Sequence, residues 1–251
     1  MNPEGRIDPR GNYLLAALPE LDYRHLLPAL EAHPLELGKR LSRPGEKMQY
    51  VYFPLASIIS TIYTLRNGAT SEIAVIGREG STGTPVYMGG EATPNEIVVQ
   101  HAGPSVRMHS SAFKQEFNRG GALQQIMLHY TQALMIQMSQ TAVCNRHHTV
   151  EQQLCRWLLL SLDRLPVEEL RMTHDLIARM LGVRREGVTR AAGNLQKQGL
   201  IAYRHGWITM LDRPGLTAAV CECYAVTKDA YQRLIHDIWK TTLEPVPALA
   251  G

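Results

Sequence analysis

Five polar side chains close together, Arg184, Arg185, Glu186, Thr189 and Arg190, have the types and spacing to read the edge of a polymer. On a helix, 185 and 189 are i, i+4 neighbours, as are 186 and 190, so they form one patch at the helix N-terminus. An arginine fork donates two hydrogen bonds to guanine O6 and N7, and a carboxylate accepts from cytosine N4. A lone Glu186–Arg190 pair would be an ordinary surface ion pair. Two further arginines beside it count against that reading, because clustered like charges destabilise a free helix. From Arg171 to Gly206 there are seven Lys/Arg and two acids, an excess that suits a polyanion.

The elements that must position these groups can be read from residues 173–199, THDLIARMLGVRREGVTRAAGNLQKQG. Thr173 is an N-cap, Gly182 a turn residue and Gly199 a stop, so the segment predicts two helices joined by a tight bend. Ile177, Leu181, Val183, Val188 and Ala191 are expected inside. Ala178, Gly182 and Val188 place a small residue, a glycine and a β-branched residue at the spacing of a helix-turn-helix. Residues 200–210 predict two short strands turning at Arg204-His205-Gly206, a wing whose Arg204 would meet a phosphate.

Upstream, Thr149 and Gln152 have the spacing of a capping box, so a helix should begin near Val150 and bury Leu154, Trp157, Leu158 and Leu162. Residues 146–149 are the expected hinge. Before it, a long helical pattern runs from Phe113 to about Cys144. Leu123, Met127, Tyr130, Leu134, Gln137 and Thr141 advance by alternating steps of four and three, as in a dimerisation seam. The other reading is a helix packed on its own β-domain.

Between Leu35 and Ser110 come short β-branched and aromatic runs, at 50–53, 58–63, 72–76, 97–100 and 106–109. Pro44-Gly45, Asn67-Gly68 and Gly89-Gly90 punctuate them, which predicts an antiparallel β-barrel with a two-residue hairpin at Asn67-Gly68. The expected class is α+β. Residues 1–112 form the barrel, 113–148 the dimerisation helix, 149–243 the winged helix-turn-helix and 244–251 a disordered tail. Leu216–Leu243 reads as a further amphipathic helical segment with Tyr224, Tyr231, Leu234 and Trp239 as anchors.

The 251 residues carry 26 Lys+Arg against 23 Asp+Glu, with no apolar run long enough to span a membrane. The start lacks an export pattern, and the four cysteines read as reduced thiols, so a cytoplasmic protein is expected. No nucleophile elbow, phosphate loop or zinc-protease motif occurs, and no catalytic residues are expected. The outsider is a cupin-like small-molecule barrel without DNA binding, for which His101 and His109 are the available barrel histidines.

The order barrel, long helix, LIARMLGVRREGVTRAAGNLQKQGLI and wing resembles the cyclic-AMP receptor protein/Fnr superfamily of bacterial transcription regulators. Gly182, Arg185, Glu186, Val188 and Arg190 match its G-x-x-R-E-x-V-x-R motif. The resemblance implies that Arg185, Glu186 and Arg190 read a palindromic half-site in double-stranded DNA. It also implies a homodimer with two recognition helices about 34 Å apart, and a contact with RNA polymerase. It further implies a small-molecule effector, which the residues do not identify. Where family members hold cyclic AMP with a glutamate and an arginine, this chain has Thr84 and Asn95-Glu96, so cyclic AMP is not expected; Arg78 has the wrong geometry to compensate. No cysteine cluster precedes Cys144, so an iron–sulfur cluster is not expected. Cys144, His147 and His148 share one helical face, yet such groups are more often filler or surface, and no metal is expected. Cys221 and Cys223, read as i, i+2 on a helix, should point apart.

Overall fold

A computed structural model describes residues 7–243; the tail at 244–251 lies outside them. Short helices α1 (Tyr13–Ala16) and α2 (Glu20–Leu26) come first, followed by β1 (Glu31–Ala32), β2 (Arg40–Ser42), β3 (Tyr50–Pro54), β4 (Ile58–Thr64) and β5 (Thr70–Ile76). After α3 (Thr84–Tyr87) come β6 (Glu96–His101), β7 (Ser105–His109) and α4 (Ser110–Asn118). The long helix α5 (Ala122–His147) leads to α6 (Val150–Leu162), β8 (Glu169–Arg171), α7 (His174–Leu181) and α8 (Arg185–Lys197). The chain continues through β9 (Ile201–Arg204), β10 (Trp207–Met210), α9 (Arg213–Ala219) and α10 (Cys223–Leu243).

The N-terminal strands form two antiparallel sheets, ordered β1-β7-β3 and β2-β6-β4-β5. They share one core, with Val51, Phe53, Val106 and Met108 from the first meeting Ile59, Ala74, Ile76 and Val99 from the second. The sheets do not close into the expected barrel. Register shifts at Arg40/Ser42, Ile58/Ile59 and Thr61/Ile62 bend the larger sheet, which ends on edge strands β2 and β5. The hairpin at Asn67-Gly68 is also longer than expected. Leu65 and Ala69 close it, Gly68 has φ +84°, and Asn67 Oδ1 accepts from the Ala69 N–H. That is the three-residue loop with a left-handed glycine, the next most common hairpin after the two-residue turn.

The expected continuous helix from Phe113 is broken at Gly120 and Gly121, whose φ values of +79° and +78° leave the helical region. Beyond the break α5 runs for 26 residues. Leu123, Met127, Tyr130 and Leu134 pack into the chain's own sheet core, and Met127 and Tyr130 are wholly buried. The seam legible in the sequence is thus internal. About one residue's rotation away, Leu128, Met135 and Met138 remain exposed. Alongside α5 lies α10, with Tyr231 and Leu234 in the same core; the Trp239 side chain lies outside the described part.

The hinge forms as the capping box predicts. The Gln152 N–H donates to Thr149 Oγ1, and Gln152 Oε1 accepts from the Thr149 N–H. Leu154, Trp157, Leu158 and Leu162 are all buried in a second core with α7, α8 and a three-stranded sheet ordered β8-β10-β9. Strand β8 was not legible in the sequence, because three residues, Glu-Leu-Arg, are too few to show a period.

Candidate nucleic-acid interface

Thr173 caps α7 by accepting from the Leu176 N–H, and Gly182 ends it at φ +68°, where the Val183 N–H returns to the Ala178 carbonyl. The bend leaves α8 crossing α7 with Val188, Ala191, Ala192 and Leu195 buried against Ile177. Burying that face turns the other outward. Arg184, Arg185, Glu186, Thr189 and Arg190 are all exposed, as is Arg204 at the end of β9. The surface pair Glu186–Arg190 does not form. Arg185 Nε instead lies 3.4 Å from Asp175 Oδ1, a contact exposed on both sides and weak for that reason. Among the described residues Arg184, Glu186 and Arg190 have no ion-pair partner.

The wing turns at His205 and Gly206, with φ +50° and +81°, a two-residue turn whose twist suits antiparallel strands. Sequence reasoning missed two groups at this surface. His174 stacks on Tyr203 with ring centroids 4.3 Å apart and meets Thr189 Oγ1 through Nδ1 at 3.0 Å. Burial and the nearby Arg185 charge push its pKa below the ordinary histidine value. Trp207, exposed beside the wing tip, lies under the Arg171 guanidinium. Both depend on strand pairing between β8, β9 and β10, which no local pattern announces.

The interface is fixed to the β-domain through polar groups. Thr70 Oγ1 donates to the Arg179 carbonyl at 2.9 Å, and Gly182 sits against Ser71. Glu72, buried in β5, accepts from Ser60 Oγ at 2.6 Å and from Trp157 Nε1 of α6 at 3.0 Å. Desolvation outweighs these donors and raises its pKa to about 7. Below it, Arg164 binds Glu79 and reaches Gln137, whose amide donates to Tyr231.

In the β-domain, the turn at Gly80-Ser81 packs against α5. Tyr130 donates its hydroxyl to the Ser81 carbonyl at 2.8 Å, and a side chain at Gly80 would meet the Tyr130 ring at 2.6 Å. Glu96 pairs with Arg40, and Arg78 lies over the Tyr13 ring. Neither supplies a phosphate fork. A cleft of about 690 Å³ is lined by Lys47, Met48, Val86, His109 and Lys114, with Glu91 engaging both lysines. His101 and His109 stand on different sheets. Cys144, Cys155, Cys221 and Cys223 are free and buried, and His147 is exposed. Contrary to expectation, Cys221 precedes α10 in a non-helical linker, so it and Cys223 do not diverge as helical neighbours would.

Residues 152–219 match the family model of the Crp-like helix-turn-helix domain. FixK2 from Bradyrhizobium japonicum superposes with TM-score 0.63 at 16% identity, covering 76% of this chain and 98% of that one. A putative Crp/Fnr-family transcriptional regulator from Eubacterium rectale gives 0.65 at 16% identity, covering 83% and 98%. The c-di-GMP responsive regulator CLP from Xanthomonas campestris gives 0.57 at 15% identity, covering 77% and 100%. A search of the curated proteins by sequence returned no match. The class is thereby set: a Crp-like helix-turn-helix domain carried on the fold of the Crp/Fnr transcription regulators. Residues 152–219 are thus of the Crp-like type, and the chain as a whole shares the fold of those solved structures.

Proposed function

We propose that the chain acts as a homodimer on a two-fold-symmetric site in double-stranded DNA, with Arg185, Glu186 and Arg190 reading base edges in the major groove. The observation that carries this reading is the orientation of α8. Val188 and Leu195 are wholly buried while Arg184, Arg185, Glu186, Thr189 and Arg190 all face outward at its N-terminal end. Arg204, at the wing tip, is assigned to a phosphate, which positions the domain without reading sequence.

Dimerisation falls to the outward face of α5. Leu128, Met135 and Ala142 recur every seven residues there, and Met138 and Asn145 lie three beyond the last two. These are the two positions of a coiled-coil seam. Leu128 and Met135, 54% and 60% exposed, are large apolar groups that a second α5 would cover.

The role is regulatory rather than catalytic and is exercised in the cytoplasm. A signal other than cyclic AMP sets the DNA-binding state, since Asn95 and Glu96 stand where a phosphate would need an arginine and the Glu96 carboxylate would repel it. A surface for RNA polymerase completes the reading.

The test is selection of duplexes bound by the full chain from a randomised library. The expected products share an inverted repeat with half-sites one helical turn apart, bound less tightly as salt rises. Recovery of unrelated sequences, or of single half-sites, would contradict it.

A further inference from the structure

Helix α5 ends at His147, and His148 turns extended, at φ −106° and ψ 155°, before the Thr149 cap starts α6. Cys144, on the last turn of α5, points inward and is wholly buried. Opposite it, α9 stops at Ala219 and the linker Val220-Cys221-Glu222 leads to Cys223, the first residue of α10. These two turns bring Cys144, His148, Cys221 and Cys223 to one point, with their ligand atoms all within 4.8 Å of one another.

The separations suit a tetrahedral ion. Cys144 Sγ and Cys221 Sγ are 3.6 Å apart, and Cys223 Sγ lies 3.6 Å from His148 Nδ1. Zinc bonds of about 2.3 Å to sulfur and about 2.0–2.1 Å to nitrogen give tetrahedral edges of about 3.8 Å between sulfurs and about 3.6 Å between sulfur and nitrogen. Beyond the donors, the other nitrogen of His148, Nε2, lies 3.3 Å from the Glu222 carboxylate. A carboxylate on the free ring nitrogen fixes the tautomer that presents Nδ1 as a ligand. Three thiolates on a divalent ion leave one negative charge, and the buried Arg156 next to the cluster is of the sign to balance it. A disulfide between Cys144 and Cys221 would use two of the four groups and leave Cys223 and His148 without a purpose. Three sulfurs and an imidazole select zinc.

We propose that Cys144, His148, Cys221 and Cys223 form a Cys₃His zinc site that clamps the hinge between α5 and the DNA-binding domain. Zinc displaces the thiol protons to solvent and ties the α5–α6 turn to the α9–α10 linker. The angle at which α8 is presented then depends on the ion. That coupling to DNA rests on the function proposed above; the metal site does not.

The experiment measures zinc in the purified full chain by mass spectrometry and follows cobalt substitution by absorption. One zinc per chain and the intense visible bands of tetrahedral cobalt thiolate are expected. Cys221→Ser and Cys223→Ser should lose both, whereas Cys155→Ser, at a buried cysteine outside the set, should keep both. Glu222→Gln, at an exposed residue that the fold does not need, should weaken zinc binding by about 10–100-fold. Removal of zinc by a chelator should lower affinity for a selected duplex, and added zinc should restore it. A chain that binds duplex but no zinc, or in which Cys144 and Cys221 are instead joined as a disulfide, overturns the site. Stoichiometric zinc with unchanged DNA affinity on chelation overturns the clamp. A chain that binds zinc but no duplex in either state overturns the regulator reading and leaves the metal site supported.

Discussion

Arg164 donates through Nε to Glu79 Oε1 at 2.6 Å, and both side chains are buried where the β-domain meets the segment after α6. The pair has company. The Gly77 N–H also donates to Glu79, Arg164 Nη2 reaches Gln137 on α5, and Gln137 holds Tyr231 of α10. Four parts of the chain therefore meet at one ion pair, which makes the junction between the β-domain and the helix-turn-helix domain a specified contact rather than a slippery apolar one.

Breaking this pair from one side should be costly. Arg164→Leu leaves the Glu79 carboxylate buried without its counter-charge, and the expected loss in urea unfolding is about 3–5 kcal/mol. Combining it with Glu79→Gln should recover part of that loss. Equal destabilisation by the single and double changes would show that lost packing, not an orphaned charge, is responsible.

Glu72 gives the junction a pH dependence. Its carboxyl, raised to about 7 in the fold from an ordinary value of 4.5, binds a proton more tightly when folded than when unfolded. Stability from this group is fully present below pH 4.5 and is lost as pH rises through about 7. The span corresponds to about 3 kcal/mol. Urea midpoints measured from pH 5 to 8 should fall with pH in the native chain, and this component should vanish in Glu72→Gln. An unchanged slope in the variant would place the effect elsewhere.

The two faces of α5 should respond differently to substitution. Leu128→Lys with Met135→Lys should convert a dimer to a folded monomer in sedimentation equilibrium, because both residues are exposed on the protomer. Tyr130→Ala should instead cost about 3–5 kcal/mol of protomer stability, as truncation of a buried aromatic does. A dimer surviving the double lysine change would place the interface on another surface.

The helix-turn-helix was legible because its signals are local. A cap at Thr173, a left-handed glycine at 182 and a buried row through Val188 lie within sixteen residues, and the outward set follows by subtraction. The five main strands were legible for the same reason. What escaped depends on contacts distant in the chain. Periodicity shows that Leu123, Met127, Tyr130 and Leu134 share a face but not what covers it, and the cover is the protomer's own sheets. At Cys144 the sequence shows only half of the cluster, Cys144 and His148, because the other half comes from a turn 77 residues on, and Cys221 and Cys223 looked divergent on the assumption of a continuous helix. Closure of the barrel failed at bulges, which have no mark in the pattern of apolar residues.

Base reading by α8 is the property on which the proposed role depends. Its most direct test is fluorescence anisotropy of the full chain and of Arg185→Ala on a selected duplex, on the same duplex altered at one symmetric base pair, and on a scrambled duplex, all at one salt concentration. The variant is expected to lose about 1–3 kcal/mol on the selected duplex and to stop distinguishing the altered base pair. Arg204→Ala, at the residue assigned to a phosphate, should weaken all three by a similar factor. An Arg185→Ala chain that binds selected, altered and scrambled duplexes with the native affinities would contradict the account.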